Sequence, residues 1–217
     1  MKQITFYFDF ISPYAYLAFE RLPQALMGLS YSVSYRPVLF AAMLKQHGQL
    51  GPAEIASKRL WTYRQCAWLA KQQGAPFVFP QNHPFNPLAL LRLAYASAAQ
   101  GRLPNRYVCE TIFRHAWATG LDVADPAQQA ELVANLAPPQ DPASDAVKAL
   151  LKLHTDAAIA QQCFGVPSLV VDDKVFWGQD ALPMLRDYLD GADWFQNGAW
   201  DLASQVGAGV QRIPKTP

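Results

Sequence analysis

Residues 4–19, ITFYFDFISPYAYLAF, decide how the chain begins. Lys2 to Phe10 is rich in β-branched and aromatic residues and apolar nearly throughout, which predicts a strand buried on both faces. Ser12-Pro13 then opens a helix, because serine is a favoured N-cap and proline suits the first helical position. That helix is expected to run to about Met27, with Gly28 stopping it. Tyr31 to Val38 alternates Tyr31, Val33 and Tyr35 against Ser32, Ser34 and Arg36, the period of a second strand. A strand–helix–strand unit of this kind predicts a parallel pair.

Far downstream, Gly165-Val166-Pro167-Ser168 leads into LVV and ends at Asp172-Asp173. Ser168–Asp172 and Lys174–Trp177 read as a hairpin, followed by a helix from Asp180 to about Asp190 with Leu182, Leu185 and Leu189 on one stripe. A strand, a helix-opening tetrapeptide and a remote Val-Pro before another strand is the layout of a thioredoxin-type site, with the Val166–Pro167 bond expected cis. Redox members carry Cys-x-x-Cys in the tetrapeptide. Here Ser12 and Ala15 hold those positions, so the frame suits a thiol brought from outside.

Between these parts strand signals almost vanish. Helices are expected over roughly Ala53–Gly74, Pro87–Gln100, Asn105–Thr119, Pro126–Leu136 and Ala143–Gln162, punctuated by Gly and Pro clusters, with Asp125-Pro126 and Asp141-Pro142 as recognisable starts. The stretch Gly191–Pro217 carries Trp194, Phe195 and Trp200, part of which is expected to pack, while the last half-dozen residues fray.

Composition narrows the class. In 217 residues, 18 Lys and Arg nearly balance 17 Asp and Glu, and no charge run invites nucleic acid or an acidic membrane surface. No leader or membrane-spanning segment is evident, so a cytoplasmic enzyme is the expectation. Cys66, Cys109 and Cys163 lack metal or redox spacing and suit a reducing compartment as small buried hydrophobes, with Cys163 closest to the Val-Pro element.

Three parts carry chemistry. At a helix start, free amides and the macrodipole favour a thiolate, and a serine hydroxyl can donate to it; taken alone, Ser12 is equally a plain cap. Backbone beside Pro167 can pair with an extended peptide. Trp177-Gly178-Gln179-Asp180 places a carboxylate where it can face an amino group, or simply cap the next helix.

FDFISPYAYLA, GVPSLVVDD and FWGQDAL resemble the signature segments of 2-hydroxychromene-2-carboxylate isomerases, which group with kappa-class glutathione transferases in the DsbA-like branch of the thioredoxin superfamily. The middle segments HGQLGPAEI and FVFPQNHPFNP are also similar, and the likeness covers nearly the whole chain short of the tail. It implies an α/β fold in which a thioredoxin-like domain, residues 1–42 and 160–205, is interrupted by a large all-helical insertion, residues 43–159, with a tail at 206–217. It also implies that Ser12 holds glutathione as thiolate, that Val166 beside Pro167 pairs with its backbone, and that Trp177, Gly178, Gln179 and Asp180 hold its γ-glutamyl end. The implied reaction is reversible thiolate addition that interconverts 2-hydroxychromene-2-carboxylate and trans-o-hydroxybenzylidenepyruvate, or a related aromatic catabolite, an isomerisation that does not consume glutathione.

On the substrate side, Lys45, His47 and Arg59 are candidates for a carboxylate, His83 and Asn86 for oxygens, and Trp61, Tyr63 and Trp68 for a ring. Each has a plainer reading: surface charge for Lys45 and Arg59, turn formation for His83 and Asn86, core packing for Trp61 and Trp68. His115 and His154 are read as structural. Glu54-Ile55 stands where well-known members carry Asn-Arg. Rival readings are a kappa-class-like glutathione transferase, a disulfide oxidoreductase and a non-catalytic thiol-peptide binding module. The family also suggests a homodimer.

Overall fold

A computed structural model describes residues 1–207 and residue 209. The frayed end expected for the last half-dozen residues lies outside that range. β1 (Lys2–Phe8) runs through the middle of a four-stranded sheet of order β2-β1-β3-β4. β2 (Tyr31–Pro37) is parallel to it, as the strand–helix–strand reading requires, from Lys2 opposite Tyr31 to Phe8 opposite Pro37. β3 (Ser168–Val171) is antiparallel on the other side, with Tyr7 opposite Ser168, and pairs with β4 (Lys174–Trp177). Their hairpin turns at Asp172 and Asp173, both at positive φ (46° and 72°), the backbone that a two-residue turn of primed type demands.

The predicted β1 is two residues too long. Asp9 leaves the strand because its side chain accepts from the Ile11 amide (3.1 Å) and its carbonyl from the Ser12 amide (3.1 Å), so the chain turns there. α1 (Pro13–Ala25) follows. Ile4, Phe6 and Phe8 project to one face of the sheet, where α1 and α5 (Arg106–Trp117) cover them. Phe113 of α5 lies 4.8 to 5.2 Å, between ring centroids, from Phe10, Phe8 and Phe19, an arrangement of tilted and edge-on rings. Tyr7 faces the opposite side with Val38, Met43, Ala158 and Cys163, under α2 (Phe40–Gln46) and α7 (Asp145–Ala160).

The remaining helices are α3 (Ala56–Gln73), α4 (Leu88–Ala96), α6 (Pro126–Leu136), α8 (Leu182–Leu189), α9 (Asp193–Gln196) and α10 (Ala199–Leu202). α6 coincides with its sequence expectation, Asp125 capping it through the amides of Ala127 and Gln128. The helix expected from Asp141-Pro142 starts later: Asp141 closes the preceding turn at the Ala143 amide, and Ser144 is the actual cap. The helix expected from Ala53 is split into a 3-10 turn, Pro52–Glu54, and α3, because Ile55 is extended. Phe195 and Trp200 pack on the main core, as expected of part of the C-terminal stretch. No described helix is long and apolar enough to cross a membrane. The architecture is the thioredoxin-like α/β fold expected, a mixed four-stranded sheet with many helices between its two halves.

Candidate active site

Ser12 is the N-cap of α1, 8% exposed, and its Oγ accepts from the Ala15 amide at 3.2 Å. Because Oγ is the acceptor in that bond, the hydroxyl proton is free to donate outward. Pro13 has no N–H to offer, and the Tyr14 amide has no partner among the described residues. One O–H, one amide N–H and the positive end of a 13-residue helix therefore converge at this point, equivalent to about half a positive charge from the helix alone.

The loop that presents Ser12 is tied down on every side. The indole of Trp117 donates to the Phe10 carbonyl (2.8 Å), Asp9 accepts from the Ile11 amide, and His83 Nε2 lies 2.9 Å from the Ile11 carbonyl. A carbonyl can only accept, so Nε2 carries the imidazole proton, and Nδ1 accepts from the Tyr63 hydroxyl at 2.8 Å. Burial holds His83 below its ordinary value, with the Arg59 guanidinium adding to the effect. His83 is thus a neutral pin with both ring nitrogens engaged, leaving neither free for a substrate oxygen. Trp117 and Asp9 did not stand out as site residues. Asp9 had one signal, a lone carboxylate in an otherwise apolar strand just ahead of the helix-opening serine.

The downstream segments meet the same place. The Val166–Pro167 bond is cis, and among the described residues neither the amide nor the carbonyl of Val166 has a backbone partner. The Gly178 amide donates to the Pro167 carbonyl (2.9 Å), which fixes the β4 exit against the proline. Trp177 is half exposed and leans over the loop before Val166, 4.8 Å from the Phe164 ring. A Cβ at Gly165 would lie 2.5 Å from the indole Nε1 and so displace Trp177, and one at Gly178 would lie 2.3 Å from the Asp180 carboxylate at a backbone (φ +100°) that favours glycine. Asp180 sits in the 3-10 turn Gln179–Ala181 and makes no side-chain cap bond to it. Its charge is felt by Tyr14, whose hydroxyl donates to Gln65 Oε1 at 2.6 Å.

The proposed substrate-side residues are spread out. Lys45 and His47 are exposed at the far end of α2 and its C-cap, roughly 8 and 10 Å along the axis from Phe40 at 1.5 Å per residue. Asn86 is exposed and its Oδ1 accepts from the Leu88 amide, the turn-forming role. Trp61 and Trp68, expected in the core as the plainer reading, are instead 63% and 58% exposed on the outer face of α3. Tyr63 and Arg59 lie nearer the Ser12 loop: Arg59 acts on both Tyr63 and His83. Glu54 folds back to accept from the Gly51 amide (2.6 Å).

All three cysteines are free and buried. Burial pushes the thiols of Cys66 and Cys163 up to about 12 and about 11, and raises Cys109 as well. A thiol held protonated and out of solvent is a poor redox nucleophile.

Relatives share this organisation. The model of the DsbA-like thioredoxin domain matches residues 3–190. A 2-hydroxychromene-2-carboxylate isomerase of Pseudomonas sp. (strain C18) is 30% identical over 196 residues, spanning 87% of this chain and 91% of that protein. Glutathione s-transferase kappa 2 of Caenorhabditis elegans is 26% identical over 208 residues, 87% of this chain and 92% of its own. A solved 2-hydroxychromene-2-carboxylate isomerase structure superposes with a TM-score of 0.74 at 24% identity, covering 94% of this chain and all (100%) of that one. With a serine at the helix start where the redox members hold cysteine, the chain belongs to the DsbA-like thioredoxin family and, within it, to the 2-hydroxychromene-2-carboxylate isomerases.

Proposed function

We propose that this protein is a glutathione-dependent isomerase that interconverts 2-hydroxychromene-2-carboxylate and trans-o-hydroxybenzylidenepyruvate, or a closely related aromatic catabolite. The observation that carries the reading is the donor set at the start of α1: a hydroxyl proton and an amide that have no acceptor among the described residues. Such a set favours an anion over its conjugate acid. Glutathione, when bound, supplies a thiolate that can add to a conjugated double bond and leave again, so that rotation occurs about a transient single bond.

The residues have separate tasks in this reading. Ser12 donates to sulfur and stabilises it both as nucleophile and as leaving group. The unpaired backbone of Val166, next to Pro167, pairs with the tripeptide main chain, and Trp177 and Asp180, carried by Gly178 and Gln179, bound its γ-glutamyl end. Arg59 attracts the substrate carboxylate, and Tyr63 and Trp61 of α3 offer ring faces. Lys45 and His47, exposed at the end of α2, are further candidates for the carboxylate of a longer substrate. Cellular placement is read as cytoplasmic, in keeping with three free thiols.

The test is an isomerisation assay on the hydroxychromene acid with and without glutathione, followed by assay of the thiol. Turnover that requires glutathione and returns it intact supports the reading. Stoichiometric loss of thiol into an adduct favours the transferase, which the kappa-class relative keeps in view. Binding of glutathione with no reaction of any aromatic enone would leave a binding module.

A further inference from the structure

We propose that Asp9 is a positioning residue of the thiolate cradle, its carboxyl joining the loop that presents Ser12 to the first helix of the insertion. Oδ1 accepts from the Ile11 amide at 3.1 Å, and Oδ2 from the Phe40 amide at 2.9 Å. The side chain is fully buried. A carboxylate deep in a protein without a cation is costly, yet here no ion pair involves Asp9 among the described residues. Both oxygens instead face backbone donors, one on each side of the boundary between sheet and helices.

The far end of that bridge is itself immobile. The Tyr95 hydroxyl donates to the Pro37 carbonyl (2.7 Å), the Val38 amide to the Phe8 carbonyl (2.8 Å) and the Leu39 amide to Thr155 Oγ1 (3.0 Å). α2 has no cap of its own, since Leu39 offers no side-chain acceptor. Asp9, 31 residues earlier, supplies it. Through one carboxyl, then, the helix that opens the insertion fixes the Ile11 amide, and with it the direction of the Ser12 hydroxyl.

Burial pushes the Asp9 carboxyl up to about 7, against the opposing pull of the Phe40, Ile11 and Phe10 amides. The charged and titratable groups on the elements around it include His47, exposed at the C-cap of α2. Burial raises Tyr7 and Cys163 and lowers His154 of α7 to about 4, while Arg36 of β2 lies over the Tyr7 ring and Lys45 of α2 is exposed. His83, on the other side of the loop, is held neutral by burial.

The inference rests on the thiolate-site reading, and the experiment separates the two. Glutathione is titrated into wild type, Asp9→Asn, Phe40→Pro and Phe40→Ala from pH 5 to 9, reading thiolate absorbance, while hydrogen exchange at the Ile11 amide is followed without ligand. Asn keeps the shape but turns a donor toward one of the two amides. Phe40→Pro deletes the second amide, at a first helical position where proline is tolerated and after an extended Leu39 (φ −84°, ψ 99°); it also removes the half-buried Phe40 ring, so it is read against Phe40→Ala, which loses the ring and keeps the amide. We expect Asp9→Asn, against wild type, and Phe40→Pro, against Phe40→Ala, to bind glutathione about tenfold more weakly, the worth of one hydrogen bond to a charged group, with faster exchange at Ile11 in Asp9→Asn. An inflection near pH 7 in wild type should be absent from Asp9→Asn. If wild type forms no bound thiolate, the thiolate-site reading fails and the proposal with it. If wild type forms one and Asp9→Asn and Phe40→Pro match these references in affinity and exchange, Asp9 alone is overturned. Should Asp9→Asn not fold, Phe40→Pro decides.

Discussion

The loop at Asp9–Ser12 and the outer face of α3 are built differently. On the first, side chains from the insertion and from β1 hold nearly every backbone group: Trp117, His83 and Asp9 each take one. On the second, Trp61 and Trp68 stand in solvent. The contrast suits a protein that binds one constant thiol and a less constrained aromatic partner. Preorganised donors act where charge develops, whereas an open apolar face tolerates variation in what it receives.

The largest effect that would break this comparison is at Ser12. Ser12→Ala should keep the fold, at a cost of about 1 kcal/mol for the lost cap, and lower the thiol-dependent rate about 10²- to 10³-fold, the range for one anion-stabilising donor. The apparent pKa of bound glutathione should rise with it. An unchanged rate at neutral pH would leave Ser12 as a cap only.

Next is Gly165→Ala, which drives a methyl into the Trp177 indole. Displacement of Trp177 should raise the KM for glutathione about tenfold, an overpacking cost of 1–3 kcal/mol, and leave the KM for the aromatic acid alone. Equal change in both constants would show the two sides are not separate.

Stability against pH gives a test without substrate. The Asp9 carboxyl titrates near 7 when folded and at about 3.9 when unfolded. The folded state therefore holds a proton that the unfolded state releases, and the Asp9 contribution to stability falls as pH rises from about 4 to 7, against the opposite contribution of His154, which burial lowers to about 4. Melting of Asp9→Asn should lack that fall. A parallel decline in both proteins would assign it elsewhere.

The smallest effects lie on α3. Arg59→Ala should raise the KM for the aromatic acid by about fivefold to tenfold, a lost charged contact of roughly 1 kcal/mol, with glutathione affinity intact. Trp68→Ala should change stability by no more than about 0.5 kcal/mol, as an exposed substitution. A larger loss there would mean that this face is covered by something in solution.

Much of the fold was legible because local rules and tertiary needs agreed. The apolar run of β1, the Ser12-Pro13 helix start, the Asp172-Asp173 turn and the Asp125 cap each follow from residues close in sequence, and each appears. α2 was missed because its cap comes from Asp9 on another element. The start of α7 was misplaced because two capping signals, Asp141 and Ser144, compete within one turn. Trp61 and Trp68 were misjudged because helical spacing does not say which face is covered.

From its order of residues alone the chain declares a helix-opening serine in place of a redox cysteine and a Val-Pro ahead of a second strand. Those are properties of single short segments, governed by backbone preference and side-chain chemistry. Only the folded chain brings Asp9 between Ile11 and Phe40, sets His83 on the Ile11 carbonyl and lays Trp177 over Gly165. Apart from the short reach of Asp9 to Ile11, those contacts join residues distant in sequence, 31 positions for Asp9 and Phe40 and 72 for Ile11 and His83, and packing across the sheet, which no local period records, selects them.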